Sequence, residues 1–164
     1  MQAIRIALTA SFLGLFGFAG LFANYGAPPS TSSDLKKTEN QLNMPNSVST
    51  LLTRNLNDVF GENDPARRRK AIDEIFTEDA VFYDPNVGVY RGRDEIDRIA
   101  GELRVMHRDF RYQPIGEPEE VGNGGRVRWT EGRPGGAPAV AGTDFIITRD
   151  SRIAAIYLFF DKLP

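Results

Sequence analysis

The order of helical and strand patterns along the chain is the feature that most restricts its fold. Apolar residues recur at three- and four-residue spacing over residues 48–60, again after a helix start at Asp64-Pro65, and over residues 94–106. A short hairpin pattern, residues 80–90, separates the second of these segments from the third. Helices grouped early and tightly connected strands grouped late predict an α+β domain with the helices on one face of the sheet. The late strands are predicted at residues 110–115, 126–131, 139–148 and 152–160.

Charge and hydrophobic content are those of an ordinary globular domain. The chain has 164 residues, of which 41% are hydrophobic and 26% charged, so it can bury a core. Its 20 basic and 22 acidic residues nearly cancel, and without a clustered basic excess no nucleic acid partner is expected. The basic run at residues 67–70 lies beside acidic residues at the start of the second predicted helix, and we interpret it as a solvated helix face.

The scarcity of certain residue types restricts the chemistry. The chain has no cysteine and His107 is its only histidine, which excludes disulfides, thiolate nucleophiles and a multi-histidine metal site within one chain. The sequence contains no glycine-rich phosphate loop and no metal-ligand motif, so neither a metal nor a cofactor is expected. Catalysis would then depend mainly on carboxylates, Tyr, Arg, Lys, Ser or Thr.

The first 45 residues differ in character from the rest. Residues 6–23 carry no charge and follow a basic residue, which predicts a secretory signal peptide or a membrane anchor over residues 1–24. Residues 25–45 are rich in Pro, Ser, Thr and Asn and are predicted to form a flexible linker. The domain of residues 46–164 is therefore expected to be secreted, extracytoplasmic or membrane-anchored, and cytoplasmic if translation starts near Met44.

Asp144 interrupts an apolar strand face. Because every second residue of a strand points to the same side, Asp144 shares a face with Val140 and Ile146. A carboxyl group on such a face has a raised pKa unless it is paired with a cation or accepts several hydrogen bonds. Carboxyl groups with a raised pKa can serve as acids or hydrogen-bond donors. The structural alternative is a strand irregularity at which Asp144 accepts local backbone hydrogen bonds.

Three further side chains are candidates for a site. Asp84 precedes Pro85 where a strand leaves the sheet, a position that suits a base at a pocket rim and equally suits turn initiation. Trp129 offers a large apolar wall with one donor, either for a ligand or as core filler. His107 follows the third predicted helix and is better interpreted as a partner of that helix end than as a catalytic base.

Four segments of the chain carry a family resemblance. IFTEDAVFYDP at residues 75–85 and YRGRDEI at residues 90–96 resemble the SnoaL-like domain, and AGTDF at residues 141–145 and the strand at residues 153–161 fit the same pattern. The resemblance covers roughly residues 48–164 and places the domain with nuclear transport factor 2-like proteins. It implies a cystatin-like roll: a cone-shaped, curved, mostly antiparallel sheet wrapped by three helices.

The resemblance also implies site residues. In the isomerases of this superfamily a base aspartate moves a proton while a tyrosine and a protonated aspartate hold the oxyanion. Asp84 matches the base by its place at the end of the first strand, and Asp144 matches the protonated aspartate by its place in the penultimate strand. The family's tyrosine falls at Leu56 here, which leaves that donor missing. The available substitutes on the predicted strands are Tyr83, Tyr157 and Trp129.

Two functions remain open from the sequence. The first is a small-molecule-binding isomerase, cyclase or lyase that transfers protons on an apolar carbonyl compound, with Asp84 and Asp144 catalytic and Tyr83, Trp129 and Tyr157 in contact with the ligand. The second is a non-catalytic ligand-binding or dimerisation module that is secreted across, or tethered to, a membrane. The resemblance implies a homodimer in either case.

Overall fold

The computed structural model describes residues 46–164. The signal peptide or anchor and the linker that the sequence predicts lie outside these residues, and both stay predictions. Among residues 46–164, no helix has the length and apolar character needed to cross a bilayer.

The first helix combines two helical forms. Helix α1, Val48–Arg54, begins at Ser47, whose hydroxyl accepts the Thr50 N–H at 3.1 Å. It continues without a break as a π-helical segment, Asn55–Phe60. The wider π turn is a feature that recurs at functional sites. The α-helical and π-helical parts together match the helix predicted over residues 48–60. Their buried face consists of Val48, Leu51, Leu52, Asn55, Leu56, Val59 and Phe60.

The second helix ends earlier than its sequence predicts. Helix α2, Pro65–Ile75, starts at Asp64, whose carboxylate accepts the Arg67 N–H at 2.9 Å. The chain enters strand β1 (Phe76–Asp84) directly at Phe76, four residues before the hairpin that the sequence predicts from residue 80. Phe76 is fully buried and pairs with Ile153 in the sheet, so tertiary packing decides the boundary. Helix α3 spans Gly92–Met106.

The basic run of α2 is only partly solvated. Arg67 is exposed and pairs with Glu62, as expected for a surface helix. Arg68 instead is buried and donates to Asp97 of α3 at 2.7 Å. The run therefore ties helix α2 to helix α3 as well as facing solvent.

The seven strands form one curved, mostly antiparallel sheet. The strands are β1 Phe76–Asp84, β2 Gly88–Arg91, β3 Arg111–Pro114, β4 Glu119–Val121, β5 Gly124–Gly132, β6 Val140–Arg149 and β7 Arg152–Phe160. Their order in the sheet is β2-β1-β7-β6-β5-β3, with β4 also paired to β5, and the one parallel pair among residues 46–164 is β1 with β7. Three helices packed against an unclosed sheet confirm the α+β class that the sequence predicts.

The register of the last three strands brings the central side chains together. Asp144 of β6 lies between Val127 of β5 and Leu158 of β7. In the next inward-facing row, Gly142 lies beside Trp129. A Cβ at position 142 would lie 2.6 Å from Cζ2 of Trp129, closer than real Cβ atoms approach. Glycine therefore allows the indole to lie across β6 and towards Asp144.

Candidate functional site

A cavity of about 210 Å³ lies on the inward face of the sheet, below the π-helical segment and the end of α3. Its walls are mostly apolar, and six side chains with polar groups line it as well. The apolar set is Phe60, Phe82, Leu103, Val140, Leu158 and Phe160, and the polar set is Asp84, His107, Tyr112, Trp129, Glu131 and Asp144.

Asp144 is the most buried of the cavity carboxylates that lack a cationic partner. Its side chain is 5% exposed, with Trp129 Nε1 donating to Oδ1 at 3.0 Å and Asn55 Nδ2 donating to Oδ2 at 3.0 Å. Both donors are neutral, so they stabilise the carboxylate less than a cation would. Burial raises the pKa of Asp144 to about 6, and the two hydrogen bonds offset only part of the rise.

Asn55 supports Asp144 from the helix layer. It is fully buried, and its Oδ1 has no hydrogen-bond partner among the described residues. An amide can rotate so that its oxygen and nitrogen exchange places. Asn55 can therefore donate to the ionised Asp144 through Nδ2 or accept from the protonated carboxyl through Oδ1, which suits a group that changes protonation.

Asp84 initiates a turn and also lines the cavity. Its Oδ1 accepts the backbone N–H groups of Asn86 at 2.8 Å and Val87 at 3.2 Å, which fixes the turn between β1 and β2. Its Oδ2 has no hydrogen-bond partner within residues 46–164, and the residue lines the cavity while remaining 8% exposed. One oxygen therefore shapes the turn and the other is available to a ligand.

A second polar cluster lies on the other side of the cavity. Glu131 is 4% exposed and accepts from Arg104 Nη1 at 3.4 Å, and its other oxygen lies 3.2 Å from His107 Nδ1. Arg104 also donates to Asn63 Oδ1 and to the carbonyl oxygens of Arg108 and Phe110. Glu131 thus has its charge balanced by a guanidinium that makes four hydrogen bonds, and it orients the His107 ring.

Tyr112 adds a neutral donor to the cavity. Its ring meets that of Trp129 edge-on, with centroids 5.0 Å apart, and no described residue hydrogen-bonds its hydroxyl. Burial first, and then the charges of Glu131 and Asp144, raise the pKa of Tyr112 above its usual value near 10. The phenol therefore keeps its proton at all ordinary pH and can donate it in a hydrogen bond.

The structure brings together three of the five residues that the sequence proposed for the site. Asp84, Asp144 and Trp129 all line the cavity. Tyr83 and Tyr157 do not: their rings stack on each other at 4.7 Å on the outward face of the sheet. Strand alternation explains this placement, because each tyrosine is next in sequence to an inward residue. The roles of all five residues stay predictions.

Four site residues were missed or undervalued by sequence reasoning. Asn55 had a signal, since it is a polar residue four positions after Leu51 within an apolar helical face. His107 does cap α3 through its backbone N–H to Leu103, as the sequence suggests, but its ring also faces the cavity. Tyr112 and Glu131 come together because β3 pairs directly with β5, and no local pattern predicts that register.

The described residues hold no group of three or more His, Asp or Glu side chains arranged as metal ligands. The polar groups of the cavity are instead two uncompensated carboxylates, one charge-balanced carboxylate and three ring donors. This set suits proton transfer or recognition of a small organic molecule.

The SnoaL-like domain is the family to which this chain belongs, since the family model matches residues 53–156. A comparison with curated proteins gives no match.

Solved structures agree on the fold. A protein assigned as an isomerase of the SnoaL-like family from Agrobacterium tumefaciens is 25% identical, with 73% of this chain and 100% of that chain covered at a TM-score of 0.66. A protein assigned as a polyketide cyclase from Sinorhizobium meliloti is 22% identical (73% and 98% covered, TM-score 0.52). One assigned as a ketosteroid isomerase from Kribbella flavida is 14% identical (71% and 79% covered, TM-score 0.55). These likenesses confirm the nuclear transport factor 2-like fold that the sequence resemblance implies.

Asp144→Asn is expected to stabilise the domain at neutral pH. The pKa of Asp144 rises from 3.8 to about 6 on folding. The folded state therefore loses about 3 kcal/mol of stability as pH rises from about 4 to above 6, because it holds a proton that the unfolded state releases. The substituted side chain has no charge to bury, and its amide can donate to Asn55 Oδ1 after rotation of the Asn55 amide.

The measurement is urea denaturation at about pH 4 and about pH 7 for the wild type and the variant. The variant's advantage should be present at the higher pH and should shrink at the lower. Asp109→Asn, at an exposed aspartate without a side-chain hydrogen bond, is the matched control and should leave the free energy of unfolding unchanged at both pH values. A variant less stable than the wild type at pH 7 would contradict the account of Asp144.

Proposed function

We propose that the domain catalyses proton transfer on a small enolisable carbonyl compound, as an isomerase or cyclase of the SnoaL-like type. One observation carries the proposal: Asp144 lies in an apolar cavity with only neutral donors, and burial raises its pKa to about 6. A general base works best with a pKa near the working pH, and few unpaired carboxyls reach that range.

Asp144 is the base in this proposal. Its carboxylate takes a proton from the carbon next to the carbonyl, and the electron pair of that C–H bond forms the C=C bond of an enolate. The proton then returns from Asp144 to the same carbon or to a conjugated one. Rotation of the Asn55 amide lets it bond Asp144 in both protonation states.

Tyr112 is the donor for the developing oxyanion. Its raised pKa keeps the phenol protonated, and its hydroxyl has no competing partner among the described residues. Hydrogen bonds aimed at developing charge in a water-poor site commonly lower the barrier by several kcal/mol, about 3 for one donor. Tyr112 would thus fill the place left by the family's missing first-helix tyrosine.

This division of roles differs from the one that the family resemblance implies. The resemblance made Asp84 the base and Asp144 the donor. Asp84 commits Oδ1 to the turn, whereas Asp144 faces the cavity under conditions that raise its pKa. The geometry therefore favours Asp144 as the base, with Asp84 as a second carboxylate for binding.

The size of the cavity limits the substrate. Its volume is about 210 Å³, below the ~300–1,000 Å³ of pockets for drug-sized ligands. The proposal is therefore for a single ring or a short chain that carries a carbonyl group.

The test is deuterium exchange at the α-carbon of small ketones in D₂O, followed by NMR. Exchange should be faster with the domain than without it, and the rate should rise with pH through about 6 as Asp144 loses its proton. Asp144→Asn should lower the exchange rate by at least roughly 100-fold and remove this pH dependence. Tyr112→Phe should lower the exchange rate without changing the pH at which the rate rises.

Glu117→Gln, in the exposed turn between β3 and β4, is the control for loss of one negative charge and should exchange like the wild type. Ketones that bind without any accelerated exchange would support instead the non-catalytic ligand-binding module. Equal exchange rates for the wild type and Asp144→Asn would remove the mechanism.

A homodimer is the second part of the proposal, and the outward face of the sheet supports it. Tyr83, Phe145, Tyr157 and Phe159 form an aromatic surface there, with Phe159 56% exposed. Exposed apolar patches of this kind commonly mark interfaces.

Phe159→Glu should convert the dimer to a monomer in light scattering after gel filtration, because the charge would be buried at the interface. Val105→Glu tests an equally apolar and more exposed position on α3 and should leave the dimer intact. A wild type that is monomeric at all concentrations would overturn this part alone.

A further inference from the structure

The cavity contains more negative charge than the described residues balance. Asp84 and Asp144 both line it, and no Arg, Lys or His side chain of residues 46–164 forms an ion pair with either one. Buried carboxylates are normally paired or hydrogen-bonded because an isolated charge in an apolar site is costly. The hydrogen bonds found at Asp84 and Asp144 come from neutral donors, so the charge itself is uncompensated.

The nearby arginine is already engaged. Arg104 donates to Glu131, Asn63 and two backbone carbonyl oxygens, and His107 Nδ1 lies against Glu131. Arg104 balances the charge of Glu131, and neither Arg104 nor His107 forms an ion pair with Asp84 or Asp144. The uncompensated negative charge of the cavity is therefore that of the two aspartates.

Aromatic rings form the remaining walls on several sides. Phe60 and Phe82 meet at 61° with centroids 5.2 Å apart, and Tyr112 and Trp129 meet at 75°. Phe160 lines the cavity too. An edge-to-face contact covers one face of one ring only, and the uncovered π-faces of rings that line a cavity attract cations within about 6 Å, Trp most strongly.

We infer that the carbonyl substrate of this site also carries a methylated ammonium group, which the aromatic rings surround and Asp84 Oδ2 neutralises. This inference rests on the proposed function and names its substrate class. Each carboxylate then has a separate role, since Asp84 holds the cationic end of the substrate and Asp144 moves the proton.

Methylation follows from the supply of acceptors. A primary ammonium group needs three hydrogen-bond acceptors, and this part of the cavity offers few besides the carboxylates. A trimethylammonium group needs no acceptor, and its charge is spread over an apolar surface that packs against aromatic rings. It also fits within about 210 Å³ together with a short carbonyl-bearing chain.

The test compares two probes of the same shape, choline and its neutral isostere 3,3-dimethyl-1-butanol. Trp129 is the only tryptophan of the chain and lines the cavity, so its fluorescence reports binding directly. Choline should bind at least about tenfold more tightly than the neutral alcohol, as expected for a desolvated cation with aromatic and carboxylate partners.

Asp84→Asn should lower the preference for choline by at least about threefold, because the carboxylate is lost while the aromatic rings remain and the amide oxygen still accepts the turn N–H groups. Glu117→Gln removes an equal charge at the surface and should keep the full preference. If Asp84→Asn fails to fold, saturation transfer from aromatic ring protons to the choline methyl groups in the wild type tests the aromatic contacts, and its absence would overturn the inference.

Equal affinity for the two probes, or a preference for choline unchanged in Asp84→Asn, would overturn the inference. The proposed function fails separately. Accelerated α-exchange of neutral ketones without choline binding overturns only the substrate class, and choline binding without exchange of any ketone, amino ketones included, overturns only the proton transfer.

Discussion

The hydrogen bonds that Trp129 and Asn55 donate to Asp144 connect the three parts on which this site depends. Trp129 comes from β5, Asp144 from β6 and Asn55 from the π-helical end of the first helix. The strand register places the indole over Gly142, and the helix must approach the sheet closely enough for a buried amide to reach the carboxylate. The position of α1 on the sheet, the shape of the cavity and the protonation of Asp144 are therefore consequences of one arrangement.

Burying the Asp144 carboxylate lowers the stability of the fold, and the same burial gives Asp144 the pKa that the proposed proton transfer needs. Replacing the carboxylate in this place with a neutral group would relieve the cost of its desolvation. Residues that lower the stability of the fold in this way are concentrated at functional sites. On the other side of the cavity, by contrast, Glu131 is paired with Arg104 and lies against His107, whereas Asp144 has only neutral partners.

The sequence predicted the fold well because its signals are local. Helical spacing over residues 48–60, the capping aspartate before Pro65 and the closing strand at residues 152–160 all agree with the structure. Strand alternation was also enough to put Asp144 among inward apolar residues. Strand β4 escaped prediction because all three of its residues are exposed and show no alternation, and the parallel pairing of β1 with β7 joins segments far apart in the chain.

The site was predicted less completely because its chemistry depends on pairing between distant elements. Tyr112 and Glu131 meet only through the register of β3 with β5, and Asn55 reaches Asp144 only when the helix packs on the sheet. Tyr83 and Tyr157 were proposed by residue type, although alternation from Phe82 and Ile156 would have assigned them to the outward face. Local patterns thus identified the carboxylates but not their partners.

The central claim is that Asp144 titrates near neutrality inside the folded domain. A ¹³C NMR titration of the aspartate side-chain carboxyls, with Asp144→Asn used to assign the signal, measures this directly. The account predicts a midpoint at about pH 6 for the signal that the variant lacks. A midpoint at or below the usual value near 3.8 would show that the carboxyl is not destabilised by burial, and would contradict the account.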